Sequence, residues 1–210
     1  MKFSSPYLSA SFLLSVLVVA GCAAPVQEQA ESGFLRDYSR LVETDDSSFV
    51  YVGQDLGNYS SFMIDPVALL FTQDPENPEF NQAELDEIRD YIVAELTEAL
   101  TEDNAYKIVA SPAPGIARIR IGITKIDAST GAYNVLIYTK VTGAGLGGIA
   151  TESEVVDSIT GKQLAAAIHW GSGSRFLRAG FTPAGDAKIL IGRWVKLARK
   201  AIDEMHGKND

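Results

Sequence analysis

Cys22 is the residue best placed to do chemistry. It is the single cysteine in 210 residues. It follows Leu17-Val18-Val19-Ala20-Gly21, an apolar run that ends in two small residues. A thiol there can form a thioether to a diacylglyceryl group, and small residues ahead of it let a peptidase reach the backbone. Other side chains offer less. The chain has two histidines, and they are far apart: His169 in a strand pattern and His206 in the C-terminal tail. Nucleophilic hydrolysis needs a nucleophile, a base and an orienting acid held together, and no G-x-S-x-G elbow is present. A zinc site needs three or four ligands at close spacing. No catalytic residue, metal or cofactor is therefore expected, and the reading is non-enzymatic.

The elements around Cys22 fit that chemistry. Lys2 gives a short positive start, Phe12 to Ala20 an apolar stretch, and Ala20-Gly21 the cleavage side. The arrangement resembles a bacterial lipobox. The apolar run is shorter than the ~20 residues a spanning helix needs, so the cysteine has to provide the anchor. One acyl chain binds a bilayer only marginally and stable anchoring takes more; bacterial lipoproteins of this kind carry three. A single cysteine also rules out an internal disulfide framework. The expected organisation is a signal peptide over 1–21, a flexible tether over 22–33, one domain over 34–206 and a tail over 207–210. Ala23, where an inner-membrane retention signal would place aspartate, favours the outer membrane and a periplasm-facing domain.

Composition narrows the partners. The net charge is −9 and the apolar content 46%. A polyanion is not drawn to nucleic acid or anionic lipid by bulk electrostatics, and the apolar fraction is enough for a core.

Phe34, Leu35, Tyr38 and Leu41 share one side of an expected short helix that docks on the domain. Phe49–Val52 and Ser61–Phe71 read as strands, the second at an edge or bulged because Pro66 has no N–H to give. Asn81 and Glu84 form a capping-box pattern. It opens a helix to about Asp103 with a Leu85, Ile88, Ile92, Leu96, Ala99 stripe and an acidic outer side, read as a solvated face. Tyr106–Val109 is a short strand. Ala117–Ile123 alternates, with a bulge expected near Thr124-Lys125 because Ile126 breaks phase. Tyr133–Val141 reads as a strand. Gly143-Ala144-Gly145-Leu146-Gly147-Gly148 has G-x-G-x-x-G spacing, but a strand pattern follows it, so it reads as an inter-strand loop. Ala150–Asp157 and Lys162–Trp170 form a hairpin, its turn set by Asp157 and Gly161. A last helix, Asp186 to Met205, is basic on its outer side and is expected beside the acidic one.

The fold class is α+β: a two-layer sandwich of a mostly antiparallel sheet of six or seven strands with two long helices on one face. Arg118, Arg120, Glu152, Glu154 and His169 are expected on the other face, as cross-strand pairs on an open surface. That surface is the candidate binding site, suited to a protein partner in the envelope. Oligomeric state is not legible.

Gly33-Phe34-Leu35-x-Asp37-Tyr38-Ser39-x-Leu41, Tyr59-x-x-Phe62-Met63-Ile64-Asp65-Pro66-Val67, Glu154-x-x-Asp157-Ser158-x-Thr160-Gly161 and Gly185-Asp186-Ala187-Lys188…Trp194 occur in that order. Together they resemble the bacterial lipoprotein family catalogued as domain of unknown function 3313. The family usually has a tryptophan shortly before the Gly-Asp pair, where this chain has Phe181-Thr182. The resemblance implies an envelope lipoprotein and supplies no activity. The function expected is a membrane-anchored binding or assembly module facing the periplasm. A small-ligand-binding or hydrolytic periplasmic domain is the alternative.

Overall fold

The computed structural model describes residues 31–45, 47–76, 78–127, 148–172 and 184–208. Cys22, the leader, the expected Tyr133–Val141 strand and most of the glycine-rich stretch lie outside these residues. Gly148 opens a strand.

Among the described residues, eight strands form one sheet: β1 (Val42–Asp45), β2 (Ser48–Val52), β3 (Ser61–Ile64), β4 (Ala68–Leu69), β5 (Lys107–Ile108), β6 (Ile116–Asp127), β7 (Gly148–Asp157) and β8 (Gln163–Ser172). Their order is β1-β2-β8-β7-β6-β3-β5, with β4 also on β6. The pairs from β1 to β6 are antiparallel, whereas β3 and β4 run parallel to β6. β3 and β4 are one expected strand broken at Asp65-Pro66. The register slips between Ile123 and Lys125, where the bulge was expected.

Two helices, α1 (Gln82–Thr101) and α2 (Gly185–Met205), cover one face. Asn81 and Glu84 close the capping box, each side chain bonding the other's backbone N–H. Leu85, Ile88, Ile92, Leu96 and Leu100 of α1 are buried against Ile119, Ile121 and Ile123 of β6. Burying each such side chain is worth about 1.5–3 kcal/mol. The helices lie side by side in the same direction. Lys188 meets Glu87 at 2.6 Å near both N-termini, and Arg199 donates to the Ala99 carbonyl near both C-termini. The expected acidic–basic pairing of the helices is present.

The opposite face is not open. Residues 32–41 cross it as an irregular strap, not the expected helix. Leu35 and Leu41 join Phe49, Ala166 and Ile168 in a second apolar cluster, with Phe34, Tyr38, Tyr51 and Trp170 packed against it. The local reason is Asp37: its carboxylate accepts from the Ser39 N–H and hydroxyl, an Asx turn that competes with helix. Those bonds hold the Asp37 carboxyl below its ordinary pKa.

His206, expected in a loose tail, is tied down. Its ring nitrogens sit 2.8 Å from the Ile202 carbonyl and 3.0 Å from the Tyr59 carbonyl.

Candidate functional site

Strand alternation sends Glu152 and Glu154 of β7 to the strap side and Thr151, Ser153 and Val155 to the helix side. The two glutamates are 0% and 1% exposed. A buried carboxylate is costly unless its oxygens are satisfied, and here the strap satisfies them. Ser32 gives Glu152 its backbone N–H at 2.6 Å and its hydroxyl at 2.8 Å, and the Tyr38 hydroxyl donates at 2.6 Å. Glu154 accepts from the Arg36 N–H and from Gln163 Nε2, both at 3.0 Å, and from Arg120. The Arg120 guanidinium also lies 4.6 Å over the Phe34 ring. Arg40 closes the other side, donating to Asp37, Tyr51 and Gln163. Burial first, and the Glu152 carboxylate second, push the Tyr38 hydroxyl's pKa up.

Of the five residues expected on this face, the structure joins Arg120, Glu152 and Glu154. Arg118 shares the face and pairs with Asp65 at 2.7 Å. His169 is on the other face, stacked on Trp194 of α2 with ring centroids 5.2 Å apart. The side of β8 that alternates with His169, with Ala166 and Ile168, is the more apolar one and looks like the side for the helices. Ala166 and Ile168 in fact pack under the strap. Ser32, Tyr38 and Gln163 were missed. The D-x-S turn signal at Asp37-Tyr38-Ser39 was the available clue to a non-helical strap.

On the helix side a cavity of about 440 Å³ lies between α2 and the sheet. Its floor exists because the residues are small: Val50 of β2, Ala165 and Ala167 of β8 and Ser153 of β7. Its wall is Trp194, Ala198 and Ala201. At one end Ser48, His169 and Thr151 align across three strands. Burial drives the His169 pKa down to about 4, opposed by the charge of Asp45, so the ring is neutral at neutral pH. Its Nδ1 is shielded from solvent and has no hydrogen-bond partner.

Among the described residues, no group of three or more His, Cys, Asp or Glu is placed to hold a metal. No helix among them is long and apolar enough to cross a membrane.

No curated protein matches the chain. Solved structures match it only at low identity and with TM-scores below 0.5. A PelC dodecamer from Paraburkholderia phytofirmans has 10% identity and a TM-score of 0.47, covering 74% of this chain and 96% of that one. The hypothetical protein CT253 from Chlamydia trachomatis has 13% identity and a TM-score of 0.44, covering 69% and 98%. Lipoprotein GNA1162 from Neisseria meningitidis has 15% identity and a TM-score of 0.35, covering 69% and 99%. The family described as protein of unknown function, DUF3313, matches residues 30–198. That span takes in the strap, the whole sheet and most of α2, and the chain belongs to this family.

Proposed function

We propose that the chain is an envelope lipoprotein, held to a bilayer by acyl groups on Cys22, and that its domain is a binding module rather than a catalyst. The observation that carries this reading is the grip of buried Glu152 on Ser32 and Tyr38. It gives the chain leading from Cys22 a fixed landing point on the sheet. Only residues 23–31 remain as leash, and fully extended they reach about 30 Å. The domain then works within that distance of the membrane, with its strapped face set by the anchor. Ala23 after the cysteine supports the outer membrane.

Fractionation of cells tests the anchor. The wild-type chain is expected with membranes and Cys22→Ser in the soluble fraction. Identical fractionation of the two overturns the reading.

A further inference from the structure

The cavity under α2 is built for a guest rather than for packing. A volume of about 440 Å³ falls within the ~300–1,000 Å³ range of small-molecule sites. Larger floor residues at 165 and 167 would fill it, yet both are alanine. Its walls are largely apolar, so an aliphatic body fits. One end is polar, where His169 stands between Ser48 and Thr151.

The charge around that end chooses the guest. Asp45, whose charge acts on His169, lines the cavity there and disfavours an anion, and Glu204 adds a second negative charge to the lining ten residues along α2 from Trp194. The cations that line the cavity lie further along α2 than Trp194: Arg199 is held by Asp203 and the Ala99 carbonyl, and Lys200 is exposed and 3.8 Å from Glu204. A neutral imidazole offers no counter-charge, and burying an unpaired carboxylate there is expensive. It can still give or take a single hydrogen bond. His169 is held by its stack on Trp194 and lines the cavity between Ser48 and Thr151, so the part of the ring that faces the cavity can serve a guest.

We infer that this cavity binds one aliphatic chain bearing an uncharged hydrogen-bonding group, a hydroxyl, ester or amide, which meets the His169 imidazole. The inference needs only the folded domain and goes beyond the anchoring reading.

The test titrates decanol and decanoate into the full-length Cys22→Ser chain, which carries no acyl group of its own, by calorimetry at pH 8. Decanol is expected to bind one to one, with a change in Trp194 emission, and decanoate at least tenfold more weakly. Ala167→Leu fills the floor and Ala198→Leu the exposed wall. Each is expected to weaken decanol at least tenfold with an unchanged circular dichroism spectrum, and the wall variant carries the test if the floor variant does not fold. His169→Phe keeps the stack and removes the nitrogens. It is expected to weaken decanol about tenfold, roughly the worth of one hydrogen bond. Absent decanol binding, or wild-type binding in the folded filling variants, overturns the site. Equal binding of decanoate, or wild-type affinity in His169→Phe, overturns the assigned end group.

Discussion

Tyr38 donates its hydroxyl to the Glu152 carboxylate at 2.6 Å, across 114 positions of sequence. The bond ties the turn at Asp37–Ser39 to the middle of the sheet. It also explains how a fully buried glutamate is tolerated in the centre of β7. The carboxylate is the acceptor around which residues 32–38 fold.

Removing that donor should loosen the strap without unfolding the sheet. Tyr38→Phe is expected to lower the unfolding free energy by about 1–2 kcal/mol, since a bond to a charged acceptor is lost. Urea denaturation measures it. Limited proteolysis should nick residues 31–41 faster than in the wild type.

The two arginines of β6 should behave differently. Arg120→Ala leaves Glu154 buried without its cation and is expected to cost about 3–5 kcal/mol. Arg118 is half exposed, and Arg118→Ala is expected to cost about 0–1 kcal/mol. Parallel denaturation curves of the two variants check the contrast.

His169 should shape the acid limb of stability. Its pKa falls from 6.5 unfolded to about 4 folded. Between those values the unfolded chain holds more protons, so stability is full above pH 6.5 and declines as pH drops toward 4. The loss across the window is about 3 kcal/mol. Asp45 is the charge that works against the shift. His169→Phe should flatten this part of the stability–pH curve.

Gly57 sits where the C-terminal end of α2 meets the 3-10 turn Gln54–Asn58. A Cβ there would collide with the Met205 carbonyl oxygen, a backbone atom that cannot rotate away. Gly57→Ala is expected to cost about 1–3 kcal/mol. Hydrogen exchange should show earlier opening at Ile202–Met205.

What the sequence made legible was local. Asn81 and Glu84 announced α1, Asp157 and Gly161 announced the β7–β8 turn, and Ile126 announced the bulge. Asp157 receives the Ile159 and Thr160 amides, and Gly161 has φ +71°. What was hidden depends on which face each strand turns to which neighbour. Ala166 and Ile168 look like core under a helix, and only the strap's position shows that their cover is residues 32–41. The same inversion put His169 on the wrong face and left the cavity unseen. The glutamate pair was visible, but its burial was not. Alternating charge reads as solvated until something distant covers it.

Intact mass of the protein purified from its native membranes tests the anchored account most directly. The account predicts a chain that begins at Cys22 and carries a diacylglyceryl group and an amide-linked acyl group. A chain that still begins at Met1, with a free thiol at Cys22, would contradict it.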